Sequence, residues 1–299
     1  MKILITGGLG FVGTQLSKRL LEQGHQITVV DHAPEPRPYT PSQVQYLSAD
    51  TTRPGAWQGA VSDQDVVVNL AGASIFRRWN AKTKELIYNS RILTTRNLVE
   101  AFPSGRVIHL LSASAVGYYG PSGDAFLQEG DPPGSDFLAK VCLDWEAEAF
   151  KAADKGARVV AMRFGIILGK TGGALGQMIP AFKRFVGGPL GHGRQWFSWI
   201  HMEDLLGAIL FVMERENIHG PANFCSPNPV RNETLARVLG KLLHRPTFFR
   251  TPGLILKLVM GEFGSVLLEG QRVFPGVLLK NGYSFRYPNI EKALAEVLG

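Results

Sequence analysis

The chain reads as an α/β protein built on a doubly wound parallel sheet, and three features predict it. Short apolar strands alternate with helical patterns through the first half. The first strand, Lys2–Thr6, runs straight into glycines at Gly7, Gly10 and Gly13. The second, Gln26–Asp31, ends in a carboxylate about twenty residues further on, the arrangement of a dinucleotide-binding βαβ unit.

Each glycine has a separate task in such a unit. Gly7 allows the tight turn out of the strand, Gly10 lets main-chain amides approach a pyrophosphate, and Gly13 lets the helix pack close to the sheet. The helix from Gly10 to Gln23 sets Phe11, Leu16, Leu20 and Leu21 near one face and stops at Gly24. Its first turn, with Phe11 and Val12, offers N–H groups and a partial positive charge to phosphates. Asp31 can accept hydrogen bonds from an adenosine ribose and repels a 2′-phosphate, which leans the cofactor to NAD over NADP. His32 and Arg37 beside it soften that preference.

Further strands are expected at Gln43–Leu47, Asp65–Ala71, Arg106–Ser112 and Arg158–Phe164, with helices at Ala81–Ala101 and Lys140–Lys155. Their near-continuous apolar runs, such as Val66-Val67-Val68, suit strands covered on both faces. After residue 165 the chain changes character, with Gly172-Gly173, Gly187-Gly188-Pro189, Gly191 and Gly193. Helical stretches follow at Asp204–Arg215, Glu233–Leu243, Gly253–Met260 and Asn289–Leu298. Residues 1–165, with part of 197–216, are therefore expected to form the dinucleotide-binding domain, and 166–299 mainly a smaller substrate-binding lobe.

Composition narrows the class. Hydrophobic residues at 45% and charged residues at 19% describe a globular chain. No apolar run reaches a membrane span and no signal sequence precedes the first strand, so a cytoplasmic protein without a membrane partner is expected. The net charge of +7 is scattered without a long basic run, which suits an anionic cofactor better than nucleic acid. Cys142 and Cys225 lack metal-ligand spacing and are expected to be reduced and structural, with no metal site. A homodimer is compatible with the sequence.

Ligands of open α/β sheets bind beyond the carboxyl ends of the strands. There the sequence places Asp50 and Thr51, with Asp50 able to bond an adenine amino group, and Leu70-Ala71-Gly72, small enough for close cofactor approach. Ser112 and Ser114 end a further strand, followed by Tyr118 and Tyr119; Ser114 is the candidate that polarises a substrate oxygen. Arg163 and Gly165, at the end of the strand from Arg158, complete the expected cofactor-binding set. Lys140 is expected to reach the nicotinamide ribose. His201, in the aromatic run Trp196–Trp199–Ile200–His201, reads more readily as a satisfied structural histidine than as a base.

Together these segments resemble the extended short-chain dehydrogenase/reductase superfamily, and most closely an atypical branch of epimerase-family proteins related to nucleoside-diphosphate-sugar epimerases. The resemblance rests on Thr6–Gly13, Asn69–Gly72, Ser90-Arg91, Ser112–Gly120, Trp145-Glu146, Gly172–Ala174 and Trp199–His201. It extends through Arg245-Pro246, Gly261-Glu262, Val273–Pro275 and Gly282–Pro288 in the tail. It implies a Ser, Tyr and Lys catalytic set with Tyr four residues before Lys, so that the cation lowers the phenol pKa. The chain departs from that pattern: four residues before Lys140 stands Asp136, and Phe137 has no proton to give. Tyr119 (or Tyr118) and Asp136 are the candidate replacements. The branch also commonly carries an Arg after the second strand, suited to NADPH, where this chain has Asp31-His32. Two readings follow: an NAD(P)-dependent oxidoreductase or epimerase acting on a small polar substrate, a nucleotide sugar among the candidates, or a dinucleotide-binding sensor with little turnover.

Overall fold

The computed structural model describes residues 1–38, 40–170 and 172–299. Seven parallel strands form the central sheet: β1 (Lys2–Thr6), β2 (Gln26–Asp31), β3 (Gln45–Ser48), β4 (Val66–Asn69), β5 (His109–Ala115), β7 (Arg158–Phe164) and β11 (Gly220–Phe224). Short ladders outside it pair β6 (Phe126–Leu127) with β13 (Arg272–Val273), β8 (Ile166–Leu168) with β10 (Trp199–His201), and β9 (Trp196–Phe197) with β12 (Val230–Arg231). The order β11-β7-β5-β4-β1-β2-β3 reverses direction between β1 and β4. That switch point is where an open α/β sheet leaves a ligand crevice.

Helices cover both faces. On one lie α1 (Phe11–Glu22) and α5 (Met202–Met213), whose Leu16, Leu20, Leu205 and Ile209 meet Ile3, Val29 and Val68. On the other lie α2 (Ala81–Glu100) and α3 (Phe137–Phe150), with Leu98, Val99 and Ala149 against Leu4, Val67 and Leu110. A separate core joins α4 (Gly173–Lys183), α6 (Asn232–Leu243) and α10 (Ile290–Leu298) through Leu175, Phe182, Leu235, Leu239 and Leu294. The helices α7 (Gly253–Met260), α8 (Glu262–Val266) and α9 (Gly276–Lys280) complete the C-terminal part. No helix among the described residues is long and apolar enough to cross a membrane.

Three differences from expectation have physical causes. Strand β5 runs three residues further than Ser112, because the hydroxyls of Ser112 and Ser114 find buried partners and can stay in the ladder. Helix α3 starts at Phe137, three residues before Lys140, because the Asp136 carboxylate accepts the Ala139 N–H at 2.8 Å and caps it. It ends at Phe150, and a 3-10 turn takes Lys151–Lys155. Strand β11, Gly-Pro-Ala-Asn-Phe, was not expected; its Gly and Pro are poor strand formers but are tolerated on the outer strand of a sheet.

Buried charge joins the sheet to α3. Arg163 on β7 and Glu146 on α3 are 3% and 5% exposed and form a two-pronged pair, Nε–Oε1 and Nη2–Oε2 both at 2.8 Å. Ser114 donates its hydroxyl to the same Glu146 at 2.6 Å. Arg163 Nη1 donates to Tyr119 Oη at 3.0 Å, and Tyr119 donates to Asn223 Oδ1 at 2.8 Å. Burial pushes the Tyr119 phenol up to about 12, against the opposing pull of Arg163.

Close backbone contact holds the first turn. A Cβ on Gly13 would lie 2.6 Å from both the Gly7 oxygen and the Gly8 Cα. Gly13→Ala is therefore expected to destabilise the fold by about 1–3 kcal/mol, read as a lower urea midpoint with unchanged slope. The phenol gives a pH signature. Its folded pKa lies above the ordinary value near 10, so its contribution to stability is complete below about pH 10 and is lost as pH rises towards about 12. Denaturant melts across that window should fall more steeply for the native chain than for Tyr119→Phe; parallel slopes would contradict the buried, protonated phenol.

Candidate active site at the switch point

The crevice between β1 and β4 is shaped by missing side chains. Gly7 sits at φ +69°, and a Cβ there would come within 2.8 Å of the Ala71 Cα, so the two loops touch through their backbones. Gly10 precedes α1, and Thr14 closes the first helical bond onto its carbonyl. The N–H groups of Phe11, Val12 and Gly13 stand ahead of that bond, outside the helical ladder. A narrow, side-chain-free turn with three such donors fits the diphosphate of a dinucleotide. The Phe11 ring carries a roof from far along the sequence: Cβ atoms at Gly169, Gly172 and Gly173 would each approach it within 3.0 Å.

The floor is a row of polar groups set by strand register, Thr6 opposite Asn69 and Asn69 opposite Ser112. Thr6 donates to Asn69 Oδ1 at 2.7 Å, and Asn69 Nδ2 reaches Thr95 Oγ1 at 2.8 Å and Ser112 Oγ at 3.2 Å. Leu70 donates its N–H to the Thr6 carbonyl. Gly72 lies against the Arg91 guanidinium, which is anchored on the Ala73 and Ile87 carbonyls at 3.1 and 2.9 Å.

At the adenosine end, Asp31 is buried and braces the turn. It accepts the Leu9 N–H at 3.1 Å and the His32 N–H at 2.8 Å, with His32 Nδ1 at 3.0 Å. The imidazole and the amides thus share the charge expected to repel a 2′-phosphate. Asp50 is held by Thr52, whose hydroxyl at 2.6 Å keeps the carboxyl below its usual range. Thr51 turns inward, its hydroxyl 2.8 Å from that of Thr94.

Several expected roles do not fit their placement. Lys140 is two-thirds exposed and pairs with Asp144 at 2.9 Å, which raises its pKa and holds the ammonium on a carboxylate that also accepts the Tyr88 hydroxyl, not on a ribose. Ser114 spends its proton on Glu146, and Tyr119 is locked between Arg163 and Asn223. Arg163 faces Glu146 and stacks on Tyr118, its carbon 3.4 Å from the ring centre. Gly165 is packed between Cys225 and Ser198, both 3.1 Å from where a Cβ would stand, and its N–H bonds the Phe224 carbonyl. His201 is structural, with Nε2 2.9 Å from Glu296 and Nδ1 accepting the Glu203 N–H.

Helix α3 sets Cys142 and Glu146 against Ser114 of β5, and one turn earlier sets Leu138 against Gly117; no site role was expected for any of the three. The Cys142 thiol is fully buried beside the Ser114 hydroxyl and the Ala115 backbone, and burial pushes it up to about 11. Leu138 borders a cavity of about 340 Å³, as do Gly117, Asp136, Phe137 and Trp79. The cavity is closed by α8 through Glu262, Ser265 and Val266. Lys84, its one lining Lys or Arg, pairs with Glu262 at 2.8 Å and sits 4.7 Å over the Phe137 ring, while Asp136 and Glu269 add negative charge. The four-residue spacing of Leu138, Cys142 and Glu146 is the signal that could have located this face.

Comparison with known proteins agrees with this architecture. Residues 3–224 match the NAD dependent epimerase/dehydratase family, and 251–297 match a Domain of unknown function (DUF1731). The chain is 38% identical over 302 residues to the epimerase family protein SDR39U1 homolog, chloroplastic, of Arabidopsis thaliana, covering 100% of this chain and 87% of the relative. It is 38% identical to the epimerase family protein SH2119 of Staphylococcus haemolyticus, covering 99% of each. Among solved structures, human epimerase family protein SDR39U1 (isoform2) with NADPH superposes with a TM-score of 0.86 at 32% identity, covering 100% and 99%. MoeE5 in complex with UDP-glucuronic acid and NAD shares the fold at 20% identity, with a TM-score of 0.81. With a family model spanning most of its length and a glycine turn shaped for a diphosphate, the chain belongs to the NAD dependent epimerase/dehydratase family.

Proposed function

We propose that the chain is an NAD(P)-dependent oxidoreductase whose substrate is a small neutral or cationic carbonyl or alcohol, bound in the cavity between α3 and α8. The observation that carries this reading is the charge of the cavity. Asp136, Glu262 and Glu269 face it against a single Lys84 already paired with Glu262. A nucleotide-sugar diphosphate needs cations or N–H donors to balance its charge, and the lining opposes it. Trp79, Phe137 and Leu138 suit an apolar body on the substrate.

The fit to a dinucleotide rests on the Gly7–Gly13 turn and the three α1 donors, which would hold the diphosphate, and on Leu70–Gly72 and Ser112 beside it. When bound, a nicotinamide supplies a hydride at the carboxyl end of the sheet. Asp136 is the expected catalytic group that borders the cavity. One oxygen caps α3, and the other lies toward Gly120. It orients the substrate hydroxyl and holds its proton. Ser114, Tyr119 and Lys140 stay outside the chemistry, held by Glu146, Arg163 and Asp144.

A second reading, a dinucleotide-binding sensor with little turnover, is favoured by the α3 face toward β5, where Leu138 and Cys142 supply neither a phenol nor an ammonium. The two readings separate by turnover. Reduced cofactor mixed with a panel of carbonyl compounds free of phosphate should lose its nicotinamide absorbance. Tight binding with no turnover across the panel would leave the sensor reading standing.

Asp136→Asn keeps a capping oxygen and removes the carboxyl that gives the proton to the carbonyl oxygen in reduction and takes it back in oxidation, so kcat should fall by about 10²–10³-fold with the melting temperature and cofactor affinity unchanged. An equal kcat would remove Asp136 from the chemistry. For the cofactor, NADPH is expected to bind at least as tightly as NADH, because His32 sits on the Asp31 carboxylate. Calorimetry of His32→Ala should show NADPH weakened about fivefold, roughly 1 kcal/mol, with NADH nearly unaffected. Preference of the native chain for NADH would reverse this assignment.

A further inference from the structure

Helix α7 has no buried residue. It presents Leu254, Ile255, Leu258 and Val259 to the outside, Leu254 at 79% and Leu258 at 74% exposure. Beside it stand Phe248 and Phe249, tilted on each other with ring centres 4.7 Å apart, and Phe185 and Val186 just beyond the end of α4. The segments are contiguous. Leu190 bridges Thr251, Gly188 abuts the Phe249 carbonyl, and Gly191 and Gly253 both pack on Leu268. So large an exposed apolar face marks a contact surface.

The charge around this face is predominantly positive. No Asp or Glu occurs between Asp154 and Glu203, nor between Glu233 and Glu262, and these two stretches build the face. Arg245 lies over the Phe185 ring at 4.6 Å. Among the described residues, Lys183, Arg184, Arg245 and Lys257 have no carboxylate within ion-pair distance. Arg250 alone in the group has an acidic neighbour, Glu233 at 3.5 Å.

We propose that this face docks on an anionic lipid surface, with α7 lying in the plane of the interface. Its apolar side chains would enter the acyl boundary while the surrounding cations meet lipid phosphates. A second copy of the chain fits less well, because a two-fold contact sets the same face against itself and brings its cations together. Helix α7 continues through Gly261 into α8, so docking sets the wall of the cavity one short helix from the lipid. The contact is peripheral and independent of the reaction catalysed.

Sedimentation of the full chain with sucrose-loaded vesicles tests the proposal. Equimolar phosphatidylglycerol and phosphatidylcholine vesicles should carry the protein down, and pure phosphatidylcholine or high salt should release most of it. Leu254→Asp with Leu258→Asp should weaken partition by about tenfold, as should Arg245→Glu with Lys257→Glu, with NADPH affinity unchanged in both. All four residues lie outside the dinucleotide crevice and the cavity, so loss of nucleotide binding in either variant would expose misfolding; single Leu258→Asp then serves. No partition of the native chain onto anionic vesicles overturns the proposal, as does equal partition onto neutral ones. A concentration-dependent dimer abolished by Leu258→Asp, without vesicle binding, assigns the face to a second copy.

Discussion

The ion pair of Arg163 and Glu146 is the constraint on which the site depends. Two opposite charges, almost fully removed from water, meet through two parallel hydrogen bonds. Burying them carries a desolvation cost that their attraction roughly offsets, so the pair contributes less to stability than to uniqueness. It admits one register of α3 against β5 and β7. Either charge left alone would be far more costly than both together, so the partners Ser114, Tyr119, Asn223 and the Glu129 carbonyl are recruited to complete the set.

This recruitment explains why hydroxyl groups at the carboxyl end of β5 are not free for chemistry. A serine whose proton lies on a buried carboxylate and a phenol held between a guanidinium and an amide are structural members. The face of α3 beside them is finished in Leu138 and Cys142, the thiol held protonated by burial. Titratable carboxyls are found instead along the cavity lining, at Asp136, Glu262 and Glu269. The result is a glycine-lined crevice next to a pocket of unlike electrostatics.

The crevice and the pocket are built on different principles. The crevice depends on absent atoms: Gly7 against Ala71, Gly13 against Gly7 and Gly8, with no room for a methyl group. The pocket depends on aromatic mass, Trp79 packed on Phe137 and Phe263 at 5.3 Å, which lets α8 from the C-terminal part close over the end of α3. One gives a rigid cradle, the other a wall whose composition can change without disturbing the sheet.

The alternation of strands and helices, the glycine turn, Asp31 at the end of β2 and the apolar strands were legible in the sequence, because they are local: hydrophobic period, turn geometry and caps act within a few residues. Even the boundaries of β1, β2 and β7 followed from them. The pairing of Ser114 with Glu146, the outward turn of Lys140 toward Asp144, the roof of Gly169–Gly173 on Phe11 and the addition of β11 were not. Each depends on which face of a helix meets the sheet, or on residues sixty or more positions apart. Sequence alone determined that a dinucleotide-binding sheet would form; only tertiary packing decided which polar groups were consumed in holding it together, because a side chain's chemistry is set by the partners that burial forces upon it.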